Sequence, residues 1–190
     1  MRIVAVAAKP IFTKVYPFVL GDKAFAVMQV LLASCFISLC AQISVPLYFT
    51  PVPLTGQTLG VMLTGAFLGW RKGVAAMLCY LLEGSLGLPV WADGSAGIVH
   101  LFGPTGGYLL CYPLQVYFIG KFLEKKAAGK TIGVLAVSAV CQLGLGSLWL
   151  SLFTGVKSMF LMGFYLFVPG EIFKAILVTG FLGLRNKRQK

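Results

Sequence analysis

Two charged residues three positions apart, Glu171 and Lys174, stand inside an otherwise apolar stretch near the C-terminus. Residues at this spacing share a helix face, and charges within apolar spans usually face a cavity or a partner. Lys174 could neutralise an anion such as a carboxylate, while Glu171 could accept hydrogen bonds from N–H donors. A self-neutralising pair is the alternative. We favour the floor of a polar pocket, because Pro169-Gly170 interrupts helical hydrogen bonding beside the pair.

Three more titratable residues lie in or near one loop. Glu83 stands at the end of an apolar stretch, and Asp93 and His100 follow in the loop. Either acid could be solvated, so binding and solvated roles both stay open for them. His100 is the only histidine and has no companions for a metal site, so we expect no metal and no cofactor.

Two segments, 50–57 and 87–108, are rich in Gly, Pro, Thr and aromatic residues. Non-helical backbone at membrane depth is tolerated only where it is buried in protein or lines a cavity. Aromatic and hydroxyl groups beside such backbone suit a mostly apolar, partly polar small molecule. Trp91 and Tyr108 could equally be interfacial belt residues. The candidate binding residues in these segments are Thr55, Gln57, Trp91, Asp93 and Tyr108.

The composition defines the elements that must position these residues. Of 190 residues, 58% are hydrophobic and 11% are charged, whereas soluble domains average about 25% charged residues. This argues against a soluble enzyme and excludes a disordered chain. At about 20 residues per spanning helix, the chain fits six transmembrane helices. We therefore predict an all-α integral membrane protein.

The predicted organisation is a single membrane domain over 1–190. It has a cytoplasmic arm (1–23), a six-span core (24–184) and a basic cytoplasmic tail (185–190). A short apolar stretch ends at Arg71-Lys72-Gly73, and the next one ends near Pro89. The six spans are expected at about 24–45, 58–70, 74–88, 104–122, 131–153 and 159–184.

The positive charge is distributed asymmetrically among the loops. With the N-terminus inside, 14 of the 16 Lys and Arg residues fall in cytoplasmic segments, only Lys157 lies outside, and Lys174 lies within a span. This is the asymmetry that the positive-inside rule describes. It predicts that both termini are cytoplasmic, and it argues against nucleic-acid binding although the net charge is +11.

Other motifs argue against catalysis and suggest close helix packing. The sequence has no GxxxxGK[ST], HExxH or GxSxG motif, so no ATPase or hydrolase activity is predicted. The five cysteines lack CxxC spacing and are interpreted as small buried hydrophobes. Ser34 and Ser38 are small residues four apart. They permit close helix approach, either within the protein or with another membrane subunit.

Four segments in order, TPVPLTGQTLGVMLTGAFLGWRKG, YLLEGSLGLPVWADGSAG, GPTGGYLLCYP and VPGEIFKA, resemble the BioY family. Its members are biotin-specific, membrane-embedded substrate-binding (S) components of energy-coupling factor (ECF) transporters. The resemblance covers about residues 44–175. It implies the S-component fold and an outward-opening biotin pocket capped by the loop between spans one and two. The implied partners are a transmembrane coupling subunit and two ATP-binding cassette ATPases.

The family's site residues can be carried over onto matching positions. Its span-six Asp-x-x-Lys falls on Glu171 and Lys174, with Glu171 longer by one methylene. Trp91 stands where Phe is common, Asp93 where Gly or Asn is usual, and Glu83 where an apolar residue is common. The small-residue face that docks the coupling subunit would fall near Ser34 and Ser38.

The resemblance leaves alternatives for function. The same architecture could bind another vitamin-like solute, or the chain could be a solitary facilitative biotin transporter. A non-transporting scaffold would leave the burial of Glu171 and Lys174 unexplained. Biotin, membrane lipid and the ECF subunits are the expected partners. Which residue meets the ureido group and which the carboxylate stays open.

Overall fold

The computed structural model describes residues 21–123, 130–156 and 160–187, with side chains of the last helix described to residue 184. The predicted arm therefore lies outside the described residues except for 21–23, as do Lys157 and most of the loop 121–130. The elements are helices α1 (Asp22–Gln42), α2 (Gln57–Ser85), α3 (Gly106–Leu123), α4 (Thr131–Thr154) and α5 (Val168–Lys187), with strands β1 (Ser44–Val45) and β2 (Leu54–Thr55).

Helix α2 combines the second and third predicted spans and reverses direction within its length. Gly69 has φ 73° and ψ 179°, a conformation essentially restricted to glycine. A Cβ on Gly73 would lie 3.8 Å from the Gly65 Cα, whereas eight residues of straight helix rise about 12 Å. The two halves of α2 therefore pack against each other as a hairpin. At about 20 Å and 24 Å, each half is shorter than a bilayer core of about 30 Å.

The predicted first span ends earlier than expected. Helix α1 ends at Gln42, and the next residues form β1, which pairs antiparallel with β2 in the register Ser44 to Thr55. The prolines of the intervening segment prevent regular helix, so residues 46–53 form a loop closed by this short ribbon. We call residues 46–53 the cap loop.

The predicted sixth span is interrupted. It comprises a π-helical turn, Phe160–Tyr165, followed by α5 from Val168. Pro169 lies in the first turn of α5, where its missing N–H costs no helical hydrogen bond. The interruption leaves backbone carbonyls of the π-helical turn free to accept bonds from other segments.

Within the described ranges, three helices are long and apolar enough to cross a membrane, not the six predicted. They are Asp22–Gln42, Thr131–Thr154 and Phe160–Leu184. The short halves of α2 do not reach that length. Helix α3 has 18 residues with Pro113 inside it, and it is not among the three.

Over the described ranges, the core is made of three apolar clusters. One joins α1, α2 and α3 around Tyr80 and Trp91. The second joins α2, α3, α4 and α5 around Met62 and Leu135. The third places the cap loop against α3 and α4 around Tyr108. Their arrangement leaves a cavity among α2, α3, α4, α5 and the cap loop.

Candidate binding site

The cavity has a volume of about 380 Å³, which lies within the usual range for small-molecule sites. Its wall is formed by the cap loop, by two 3-10 turns (Ala92–Gly94 and Ile98–Leu101) and by the four helices α2, α3, α4 and α5. Its polar and aromatic lining residues are Thr55, Gln57, Thr58, Trp91, Asp93, Ser95, His100, Thr105, Tyr108, Tyr112, Gln142, Phe167, Glu171 and Lys174.

Glu171 and Lys174 form an ion pair that Thr58 of α2 completes. The Lys174 Nζ lies 2.8 Å from the Glu171 Oε1 and 2.6 Å from the Thr58 hydroxyl oxygen. The Thr58 hydroxyl donates to the same Oε1 at 2.6 Å. Both contacts to the Glu171 carboxylate use the same oxygen, Oε1. The other, Oε2, is buried and has no hydrogen-bond partner among the described residues.

A second network fixes the Gln57 amide. Its Nε2 donates to the Tyr80 hydroxyl at 2.6 Å, while its Oε1 accepts from Thr55 at 3.1 Å and from Tyr112 at 3.3 Å. An amide oxygen has two lone pairs and an amide nitrogen two hydrogens. Gln57 therefore has no acceptor capacity left and retains one N–H that it can donate.

Trp91 forms a buried wall of the cavity. It is 1% exposed, and its indole packs on Gly84, where a Cβ would lie 2.1 Å from the indole Cε2. The Gln42 amide of α1 donates to the Trp91 carbonyl at 3.1 Å. The Tyr80 hydroxyl donates to the neighbouring Val90 carbonyl at 3.2 Å. Thus α1 and α2 together hold this segment in place.

The π-helical turn joins the cap loop to the cavity wall. The Thr50 hydroxyl of the cap loop donates to the Met162 carbonyl at 3.0 Å. The Tyr108 hydroxyl of α3 donates to the adjacent Gly163 carbonyl at 2.8 Å. A normal α-helix would use these carbonyls internally. Here they tether two parts of the site.

The structure brings together seven of the sequence-derived candidates at one cavity. Glu171, Lys174, Thr55, Gln57, Trp91 and Tyr108 line it, as does Asp93, which is exposed and has φ 56°. Trp91 and Tyr108 are not interfacial belt residues, because both side chains are buried inside the protein.

The remaining binding candidate, Glu83, does not line the cavity. Its Oε2 accepts from Ser34 of α1 at 2.6 Å, and its Oε1 accepts from the Cys79 thiol at 3.3 Å. Ser34 is wholly buried, so its side chain is not available as a docking surface for another subunit. Ser38 is partly buried and donates to the Ser34 carbonyl. The Ser34 bond to Glu83 holds α1 against α2, whereas the Ser38 bond lies within α1.

Sequence reasoning missed Thr58, Tyr112 and Gln142 as lining residues. Gln142 is 3% exposed, and its Oε1 has no partner within the described part of the chain. It could have been found by the argument that singled out Lys174, because an amide inside an apolar span is also costly. Thr58 and Tyr112 carry no comparable signal, since hydroxyl residues are ordinary in helices.

The arrangement can bind a neutral or amphipathic molecule with hydrogen-bond donors. Two acceptors of residues that line the cavity, the Glu171 Oε2 and the Gln142 Oε1, are buried and lack partners within the described part of the chain. Aromatic rings from Trp91, Tyr108 and Phe167 supply apolar contact area. An unsatisfied buried carboxylate oxygen is costly, so a ligand that donates to it would recover that free energy.

Comparisons with known proteins identify the class to which this fold and site belong. The chain superposes on the crystal structure of the S-component for biotin from an ECF-type ABC transporter. The TM-score is 0.77 and the sequence identity 28%, over 88% of this chain and 93% of that one. The fold is therefore that of an ECF S component, a class of transporter subunit rather than an enzyme.

The family follows from the sequence comparison. The BioY family model matches residues 20–189, and the chain belongs to the BioY family. It is 37% identical over 154 residues to the probable biotin transporter BioY of Pyrococcus horikoshii, covering 80% of this chain and 91% of that protein. It is 39% identical over 166 residues to the biotin transporter BioY2 of Lactococcus lactis, covering 85% and 90%. With its three apolar helices, the chain is a membrane protein.

Proposed function

We propose that this chain binds biotin in the cavity and carries it inward across the cell membrane. The observation that carries the proposal is the pair of unpartnered acceptors, Glu171 Oε2 and Gln142 Oε1, in one aromatic-lined cavity. Biotin has two N–H donors, both on its ureido group, and the rest of its bicyclic ring is apolar. The two donors of biotin therefore match the two acceptors of the cavity. The family and the relatives' names support the same ligand.

The chemistry of the lining orients biotin. In its anionic form, only the ureido N–H groups can donate to the Glu171 and Gln142 oxygens. The ureido carbonyl then lies within reach of donors, namely the remaining N–H of Gln57 and the Lys174 ammonium. The valerate is repelled by Glu171, so we place it among the side chains of Ser95, His100 and Thr105. Trp91 and Tyr108 pack on the ring and the aliphatic chain.

The wider arrangement is also part of the proposal. We infer a multi-pass protein of one membrane domain over 1–190, with six membrane-inserted helical segments and both termini in the cytoplasm. The two short halves of α2 provide two of the six segments. The S-component fold supports partnership with an ECF transmembrane coupling subunit and two ATP-binding cassette ATPases. Biotin is then cargo, and no cofactor is required.

Equilibrium binding of labelled biotin to the purified protein in detergent tests the ligand. Wild type should bind saturably, and Gln142→Leu and Glu171→Gln should each bind at least tenfold more weakly. Lys130→Gln, at an exposed position outside the cavity, serves as the control and should bind like wild type. Absence of saturable binding contradicts the proposal. Competition by an unrelated vitamin as effective as unlabelled biotin would assign the cavity to another solute.

Biotin uptake into cells tests the mechanism separately. Cells that express this chain with a coupling module should accumulate biotin, and cells that express the chain alone should not. Equal uptake without the module would contradict the coupled mechanism. It would show instead that the chain alone is a facilitative biotin transporter.

A further inference from the structure

A second cavity, about 600 Å³, lies between α1, the first half of α2 and α5, apart from the biotin cavity. We call it the lateral groove. Its lining is apolar except for Gln29 and Thr64. Its apolar lining includes Leu32 and Phe36 of α1, Leu59 and Leu63 of α2, and Leu177 and Phe181 of α5. In a membrane protein, such a groove between helices faces hydrocarbon and can accommodate an acyl chain.

Two polar features make the lateral groove more than an apolar gap. Thr64 is 3% exposed, and its hydroxyl has no hydrogen-bond partner among the described residues. Burial of an unpaired hydroxyl is unfavourable. An ester carbonyl at that level would accept its proton. A hydrocarbon chain or an apolar helix face would leave it unpaired.

The second feature is a positive charge at the edge of the groove. The Lys72 Nζ lies 2.6 Å from the Oε1 of Gln29, which lines the groove. An ammonium has three N–H donors. Within the part of the chain that the structure describes, Lys72 uses one of them on Gln29, so two remain for a ligand. Lys72 and the neighbouring Arg71 and Trp70 follow the reversal of α2 at Gly69. Basic and aromatic residues at one level of a membrane protein mark the headgroup region.

We propose that the lateral groove binds one anionic phospholipid. Its phosphate contacts the Lys72 ammonium, an ester carbonyl accepts from the Thr64 hydroxyl, and an acyl chain lies along Leu63 and Phe181. The cation at the edge of the groove and the hydroxyl within its apolar lining offer one contact each to the headgroup, the ester and the acyl chain of a phospholipid.

Native mass spectrometry of the full-length protein with added phosphatidylglycerol or phosphatidylcholine of identical acyl chains tests this site. Wild type should bind one phosphatidylglycerol about fivefold more tightly than phosphatidylcholine, as one cation near anionic headgroups contributes about 1 kcal/mol. Lys72→Gln, which can still donate to Gln29, should lose this preference. Thr64→Val should weaken binding of both lipids.

The matched control is Arg71→Gln. It removes the same charge one residue away, where the Arg71 guanidinium lies 5.0 Å from the centroid of the Trp70 ring. Arg71→Gln should keep the preference. If Arg71→Gln and Lys72→Gln reduce it equally, or if wild type binds both lipids alike, the proposal is overturned. If a second copy of the chain or another protein helix excludes lipid from the groove in wild type, it is overturned as well.

Labelled biotin binding distinguishes this inference from the proposed function. None of the variants changes a residue that lines the biotin cavity, so their biotin affinity should match wild type. Loss of lipid preference with intact biotin binding supports the groove. Retained preference in Lys72→Gln refutes the groove and leaves the biotin proposal unaffected.

Discussion

Lys174 binds Glu171 through a single carboxylate oxygen, at 2.8 Å, and the second oxygen of Glu171 is buried with no partner among the residues that the structure describes. A pair whose only role was mutual neutralisation could use both oxygens. Thr58 reinforces the asymmetry by donating to the same oxygen as the ammonium. The pair is thus neutral overall and still has an acceptor for a donor from a ligand.

The first prediction separates the ion pair's stabilising role from its binding role. Lys174→Met leaves the Glu171 carboxylate buried without its cation, which should destabilise the protein by about 3–5 kcal/mol. The double variant Glu171→Gln/Lys174→Met removes the uncompensated charge and should recover much of that loss. It should still bind biotin poorly, because the charged acceptor is gone.

Thermal unfolding in detergent and labelled biotin binding check this pair of expectations. Glu171→Gln alone should weaken biotin binding roughly ten- to hundredfold, the effect of about 1.5–3 kcal/mol for a bond to a charged group. A double variant less stable than Lys174→Met would contradict the ion-pair argument.

The second prediction concerns the contact between Gly84 and Trp91. Gly84→Ala places a methyl group within 2.5 Å of three indole atoms, so the indole must shift into the biotin cavity. Biotin affinity should fall at least tenfold. Trp91→Phe in the Gly84→Ala background should relieve the overlap. The double variant should therefore lose less unfolding free energy than the two single variants lose together, by about 0.5–3 kcal/mol.

Gly144→Ala is the control for that cycle. Gly144 is on α4, and apart from its own stretch of helix no described atom lies within 4 Å of the added methyl group, so biotin affinity should stay unchanged. Calorimetric binding of biotin and thermal unfolding measure both effects. If the stability losses of Gly84→Ala and Trp91→Phe are strictly additive, the position of the indole does not depend on this glycine.

The sequence indicated the chemistry of the site better than its packing. Lys174 and Glu171 are identifiable because charge in an apolar segment demands a partner, and Trp91 because it lies in a Gly- and Pro-rich segment. The pairing of Glu83 with Ser34 was not predictable. It depends on how α1 meets α2, and 49 residues separate the two in the chain.

The helical content of the fold was predictable from the sequence, but the path of the chain was not. Arg71-Lys72-Gly73 indicated correctly that a helical segment ends nearby. The reversal itself occurs at Gly69, whose φ of 73° follows from tertiary packing of Gly65 against Gly73. The π-helical turn before α5 has no sequence signal of its own, because its carbonyls are used by Thr50 and Tyr108 from other segments.

The third prediction concerns the tether between Thr50 and Met162. Thr50→Val removes the hydroxyl that holds the cap loop to the π-helical turn. A net loss of about 1 kcal/mol corresponds to about fivefold faster biotin release, with little change in the association rate. Stopped-flow measurement of labelled biotin dissociation checks this.

Thr179→Val is the matched control for the tether. The Thr179 hydroxyl donates to the Ala175 carbonyl within α5, and Thr179 does not line the cavity. The release rate should therefore match wild type. An unchanged release rate in Thr50→Val would show that the cap loop opens independently of this bond.

The fourth prediction tests the reversal of α2 at Gly69. Its φ and ψ lie where a Cβ is strained, so Gly69→Ala should destabilise the protein by about 1–3 kcal/mol. Gly133→Ala is the matched control. Gly133 is helical with open space around it, and Ala there should be neutral or stabilising by up to about 1 kcal/mol. Thermal unfolding of both variants in detergent decides the matter. Equal midpoints would mean that α2 does not reverse through a glycine-specific conformation, whereas a lower midpoint for Gly69→Ala alone supports the hairpin that places Thr58 beside Glu171.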